Sequence, residues 1–299
     1  MQKTYLKNFY MPSEDREFNY LKGIHMTCFD TFYPFKVLPS EFRELEFFPL
    51  TILYGGNGCG KTTILNLIAE KLGINRSTRI NKTSFMEDYL DLCDYDIKET
   101  PTTKKIITSD DVFSDIFRTR EKNEIIDQNR KQAFELSDLC HTPGVYIRDV
   151  MDEMVGDGKW IDNLDTLLKV TAARQKSKSQ FARETVQRNI IGKSNGETAL
   201  EYFYSNIKEP GLYLLDEPEN SLSAIYQRTL AQYLAESVRF FDAQLIIATH
   251  SPFMLSIPGA RIYDLDAEEF CITDDWTTLD NMMEYYRLFR SYAECFEER

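Results

Sequence analysis

The chain has 299 residues, with 35 Lys+Arg against 48 Asp+Glu for a net charge of −13, and 42% of its residues are apolar. That is the balance of a globular chain long enough to bury a core as one large domain or two smaller ones. Six cysteines without a CxxC pair and only three histidines (His25, His141, His250) exclude a zinc-finger arrangement and argue against a disulfide framework. No window approaches 18 consecutive apolar residues and the first residues lack a secretory leader's pattern, so a cytoplasmic chain with no membrane partner is expected.

Residues 1–54 read as short strands and turns rich in aromatics (Phe29, Phe32, Tyr33, Phe35, Phe42, Phe47, Phe48) and punctuated by Pro34, Pro39 and Pro49. An N-terminal antiparallel β-layer against a main sheet is expected there. The run Leu50-Thr51-Ile52-Leu53-Tyr54 then stops at a glycine cluster, after which Ile64, Leu65, Ile68 and Leu72 recur at helical spacing. This is strand, loop, helix. The loop, Gly55-Gly56-Asn57-Gly58-Cys59-Gly60-Lys61-Thr62, fits GxxxxGK[ST]. Its glycines let successive N–H groups and a helix N-terminus face a polyphosphate, Lys61 adds a charge near the β- and γ-phosphates, and Thr62 offers a hydroxyl to Mg²⁺. Thr63 completes the expected nucleotide contacts.

From 76 to 193 the chain turns polar and punctuated, with a strand expected at Lys104 to Thr108 and a helix from Val112. Lys169 to Lys193 holds seven basic residues and a single acidic one, Glu184. Nucleic acid or an acidic partner could bind there; a solvated helix face is the competing reading.

After 194 the α/β texture returns. Leu212-Tyr213-Leu214-Leu215 is an apolar strand that delivers Asp216 and Glu217 to its carboxyl end, where open α/β sheets bind ligands. Asp216 suits Mg²⁺, and Glu217 suits the polarisation of an attacking water as general base. A helix is expected from Ala224 to about Phe240. A second buried strand, Leu245-Ile246-Ile247-Ala248, presents Thr249-His250-Ser251-Pro252 at the same edge, so that His250 can donate to a γ-phosphate or the water. Strands alternating with helices imply a mostly parallel sheet. Past Tyr263 eleven Asp/Glu face three Arg, while Leu279, Met283, Tyr286, Phe289, Ala293 and Phe296 keep helical spacing. The expectation is an acidic amphipathic helix docked on its own domain, with docking on a partner as the alternative.

With Ser194-Asn195-Gly196-Glu197 ahead of Asp216, the four motifs stand in the order found in the ATP-binding cassette ATPases, which the chain resembles over about 1–75 and 190–263. Within them it is similar to the soluble branch of chromosome-maintenance, recombination-repair and phage-defence ATPases. The resemblance implies a P-loop NTPase fold, with a cassette core at 1–75 and 194–263, a mostly helical insert or lid at 76–193 and an acidic helical tail at 264–299. It implies ATP and Mg²⁺ as cofactors, ATP hydrolysis, and a head-to-tail homodimer or higher oligomer in which Ser194 and Gly196 reach the partner's nucleotide in trans. A separately encoded effector, nuclease or nucleic-acid-linked, would be the target, with antiviral defence as its setting. The alternatives are a transporter's nucleotide-binding subunit and an ATP-dependent scaffold without turnover. The family's glutamine after the strand that follows the phosphate loop is not evident; Ser109-Asp110-Asp111 stands in its place.

Overall fold

The structure, a computed structural model, describes residues 2–24, 29, 31–38, 43–76, 78, 80, 82–156, 163–190, 194–267 and 271–297. His25, Cys28, Pro39, Phe42 and Lys193 lie outside the described residues. In chain order the elements run β1 (Leu6–Tyr10), α1 (Glu14–Lys22), β2 (Glu44–Glu46), β3 (Leu50–Tyr54), α2 (Lys61–Lys71), α3 (Met86–Leu92), β4 (Asp94–Ile97), β5 (Thr103–Thr108) and α4 (Ser109–His141). They continue with α5 (Ile147–Val155), α6 (Leu164–Gln175), α7 (Lys178–Thr185), α8 (Asn195–Asn206), β6 (Gly211–Asp216), α9 (Ala224–Phe240) and β7 (Ala243–Thr249). The chain ends with α10 (Pro252–Leu255), β8 (Arg261–Asp264), β9 (Cys271–Thr273), α11 (Asp280–Ser291) and α12 (Ala293–Glu297).

The central sheet has the order β5-β6-β7-β3-β8-β9, parallel throughout except for antiparallel β9. Its inner strands β3, β6 and β7 are buried at every residue, which is why each reads as an unbroken apolar run. Leu212, Leu214, Ile246 and Ala248 share one core with Ile64, Leu65 and Ile68 of α2. By alternation Tyr213, Leu215, Leu245 and Ile247 point to the other face, and α9 packs against β7. A smaller antiparallel sheet, β2-β1-β4, is tied to the central one by buried Gln244. Its Oε1 accepts from the N–H groups of Tyr5 and Leu6 at 2.7 and 2.8 Å, and its Nε2 donates to the Leu6 carbonyl at 2.8 Å. The fold is therefore α/β, with a parallel central sheet, an antiparallel layer and many helices, as the sequence implies.

The chain divides into two compact units, Met1–Phe113 with Ser194–Arg299, and Ser114–Lys193. The second is helical around its own core of Ala133, Val150, Met151, Val170, Ala173 and Phe181.

Two expectations change. Residues 1–54 contain a helix, α1, as well as strands: Ser13 caps it by accepting from the Arg16 N–H, and Glu14, Asp15 and Glu17 fill its first turn, where the helix dipole favours negative charge. The tail is helical, but its apolar spacing does not mark a docked face. Tyr286, Phe289 and Phe296 are 55%, 56% and 63% exposed; of the predicted stripe Leu279 is buried, and Met282, outside it, is buried as well.

Candidate nucleotide site

Tyr54 at the end of β3 stands beside Thr249 of β7, and Ala248 stands beside Asp216 of β6. The three strands that carry the motifs thus end side by side, with β7 between the other two. From β3 the chain enters a loop in which Gly58 and Gly60 hold φ of 88° and 100°, values that favour glycine. A Cβ on Gly60 would also stand 2.4 Å from Cδ2 of Leu38. Gly60 is the N-cap of α2 and provides no side-chain cap, so the first N–H groups of the helix are left for an anion.

A pocket of about 160 Å³ opens there, lined by Asn57, Gly58, Gly60, Lys61, Thr62, Thr63 and Glu217. It is well below the roughly 300 Å³ at which a site encloses a drug-sized ligand, a size suited to phosphates with the base left outside. Gly55, Gly56 and Cys59 of the same loop are not among the residues lining the pocket. Lys61 is buried and its Nζ donates to the carbonyls of Gly55 and Gly56 at 2.7 and 2.8 Å, while the Gly56 N–H donates to Asp266 at 2.6 Å. Burial pushes the Cys59 thiol up.

Asp216 is buried at the end of β6 and accepts from Thr62 Oγ1 at 3.0 Å. Burial pushes its carboxyl up to about 6; the Thr62 hydrogen bond opposes the shift, neighbouring Glu217 adds to it, and Arg76 and Lys61 oppose it. An under-compensated buried carboxylate touching a hydroxyl is a hard-oxygen pair that fits Mg²⁺, whose remaining ligands come from water and phosphate. Glu217, half-buried in the pocket wall, adopts φ 47°. Its N–H donates to the Ala248 carbonyl at 2.9 Å and its Oε2 accepts from Asn220 Nδ2 at 2.9 Å. A non-glycine residue held in that region costs roughly 1–3 kcal/mol, and the turn so made aims the carboxylate at the pocket rather than along the strand.

His250, 46% exposed at its side chain, does not line this pocket. It faces a neighbouring cavity of about 370 Å³ with Asn281, Glu284, Tyr285 and Leu288 of α11. Ser194 and Gly196 do not line it either. Ser194 caps α8 in a reciprocal box with Glu197, and a Cβ on Gly196 would stand 2.5 Å from the Tyr226 ring. In the place of the family's glutamine, Thr108 of β5 stands beside Asp216, and buried Asp111 accepts from the Thr108 N–H and hydroxyl, both at 2.9 Å.

One residue escaped the sequence reading. Glu219 is 4% exposed and its Oε1 accepts from Thr249 Oγ1 at 2.6 Å and from the His250 N–H at 3.0 Å. The only signal was a further carboxylate after Pro218, which reads as an acidic turn until β7 is placed against it.

Residues 44–220, more than half of the chain, match the family model described as "ABC transporter". The chain belongs to the ATP-binding cassette family. The span runs from β2 through the phosphate loop and α8 to Glu217. A second model, "AAA domain, putative AbiEii toxin, Type IV TA system", matches 202–256 of this cassette, including β6, β7 and His250. No curated protein matches it. Among solved structures, the cassette is similar to the Smc head domain with an extended coiled coil bound to the C-terminal domain of ScpA from Pyrococcus furiosus, at 14% identity, 96% and 99% coverage of the two chains and a TM-score of 0.44. It is also similar to a nucleotide-free ATP-binding cassette from an ABC transporter, at 12% identity, 83% and 89% coverage and a TM-score of 0.36. Among the described residues of the cassette no helix is long and apolar enough to cross a membrane.

Proposed function

We propose that this cassette hydrolyses ATP with Mg²⁺ at the site built on β3, β6 and β7, and that it does so as a head-to-tail dimer whose state controls a separate effector. The observation that carries the reading is the Thr62–Asp216 pair, at 3.0 Å, with Glu217 in the wall of the same pocket. The first N–H groups of α2 receive the phosphates. Lys61 moves its ammonium from the Gly55 and Gly56 carbonyls to the β- and γ-phosphate oxygens. Thr62 and Asp216 hold Mg²⁺, which neutralises developing charge when bound. Glu217, kept in place by Asn220, orients the attacking water and takes its proton, and His250 donates to the γ-phosphate. Ser194 and Gly196, remote from this pocket, close over the partner's nucleotide, with the N-terminus of α8 toward the γ-phosphate.

Replacing Glu217 with Gln should keep ATP binding, lower kcat by about 10²-fold or more, and accumulate an ATP-bound dimer seen by light scattering. Lys61→Ala should lose binding and dimer together. Unchanged turnover in Glu217→Gln would remove the base. The match of 202–256 to a model named for a toxin system supports effector control. The 169–193 stretch is partly engaged in ion pairs, Lys176 with Glu184 and Lys178 with Asp138, so nucleic acid is the weaker partner. Salt-dependent DNA or RNA binding lost on neutralising Lys169 and Arg188 would restore it. A second reading, a transporter subunit, draws on the family description of residues 44–220; co-purification with a membrane-spanning partner would establish it.

A further inference from the structure

We infer that Glu219 is the positioning residue for His250, its carboxylate fixing the end of β7 and holding the imidazole with Nδ1 turned inward, so that Nε2 is the nitrogen presented outward. The inference rests on the proposed hydrolysis, in which His250 donates to the γ-phosphate.

The carboxylate is 4% exposed, and its bonds converge on two consecutive residues. Oε1 accepts from the Thr249 hydroxyl at 2.6 Å and from the His250 N–H at 3.0 Å, and lies 3.5 Å from His250 Nδ1. Thr249 Oγ1 passes the constraint on by accepting from the Ser251 N–H at 3.0 Å. Among the described residues, Oε2 is buried without a hydrogen-bond partner. A turn that needed only a cap would be served by a neutral oxygen, whereas burying a carboxylate with one oxygen unpaired is costly. What the carboxylate adds is the approach of Oε1 to Nδ1 at 3.5 Å, which makes Nδ1 the ring nitrogen facing inward.

The arrangement has the logic of a carboxylate that orients a histidine from behind, setting which nitrogen is presented outward. Across the cavity the other groups facing the ring are Glu284 and Tyr285 of α11. Glu284 lies on the solvent side and does not hold the backbone of β7. Glu219 therefore controls orientation, and Glu284 only the local field.

The test uses the full chain labelled with ¹⁵N-histidine, which has three histidines to resolve, with His250→Ala to assign the signal. Glu219→Gln keeps an oxygen for the Thr249 hydroxyl and His250 N–H but loses the charge. It should move the ¹⁵N chemical shifts of the His250 ring at fixed pH and cut kcat about tenfold, with the ATP dissociation constant and KM within twofold of wild type. Glu284→Gln should move those ring signals less than Glu219→Gln does. Should Glu219→Ala fail to fold, Glu219→Gln and Thr249→Val still report. Unmoved His250 ring signals in Glu219→Gln overturn the inference, and so does a loss of ATP binding in step with turnover, which marks a purely structural role. Absence of turnover in wild type would instead refute the proposed hydrolysis, leaving the imidazole signal to decide the positioning.

Discussion

Asp216 is a buried carboxyl group at the end of β6 that accepts from the Thr62 hydroxyl. With its pKa pushed up to about 6 mainly by burial, the ionised form is disfavoured by the nucleotide-free fold. The group's stabilising contribution is complete below about pH 4, the ordinary aspartate range, and is lost as pH rises through about 6. At pH 8 the folded, metal-free chain carries a cost on the order of 3 kcal/mol. Asp216→Asn in EDTA should therefore melt above wild type at pH 8, with the gap narrowing toward pH 5, and should lose the stabilisation that ATP with Mg²⁺ confers. Thermal melts at the two pH values, with and without Mg²⁺-ATP, check both halves; equal melting points at pH 8 would contradict the burial argument. Glu217 adds strain in its backbone, since the left-handed φ in the pocket wall is held by its hydrogen bonds to Ala248 and Asn220.

At the scale of elements, the strands that carry the proposed phosphate site were the legible ones. Parallel strands buried on both faces must be apolar throughout, so β3, β6 and β7 stand out as runs that end in Gly, Asp and Thr. The residues after each run are polar because they leave the sheet. Helices that lack a clean stripe were harder: α4 extends over 33 residues with no apolar seam to mark its length, and α1 is revealed by its capping serine rather than by periodicity. The tail was misread because helical spacing of apolar residues looks the same whether the face is covered or bare. Glu219 and Gln244 were hidden for a different reason, since their partners are distant in sequence and only the fold brings them together. The contact between α8 and α9 offers a direct test of one such partnership. Gly196→Ala drives a methyl into the Tyr226 ring, 2.5 Å away, and should cost about 1–3 kcal/mol in denaturant unfolding. ATP binding at the phosphate loop of the same chain should be retained, and ATP-dependent dimerisation should weaken.

For the whole molecule, the division into two units separates the nucleotide machinery from a helical body with its own core. Met151 sits fully buried in that core, so Met151→Ala should cost about 2–5 kcal/mol. Hydrogen exchange should rise across 114–193, with the ATP dissociation constant unchanged. Exchange rising equally in β3 and β6 would mean that the units unfold as one. The charge of the whole chain, −13, is likewise a sum of unlike parts, and the acidic share concentrates in the tail that presents Tyr286, Phe289 and Phe296 to solvent.

The order of strands also has a consequence in time. β3 carries the phosphate loop and leaves the ribosome well ahead of its partners, since both of its neighbours, β7 and β8, come from residues 243–264. At about 5–20 residues per second, the strand waits roughly ten to forty seconds for its first hydrogen-bonded neighbour, while the whole of the 114–193 unit is made in between. The nascent chain therefore has no ATP site until β7 has been made. Nucleotide cannot template the early steps, and an exposed apolar β3 is the segment most in need of protection until that strand arrives.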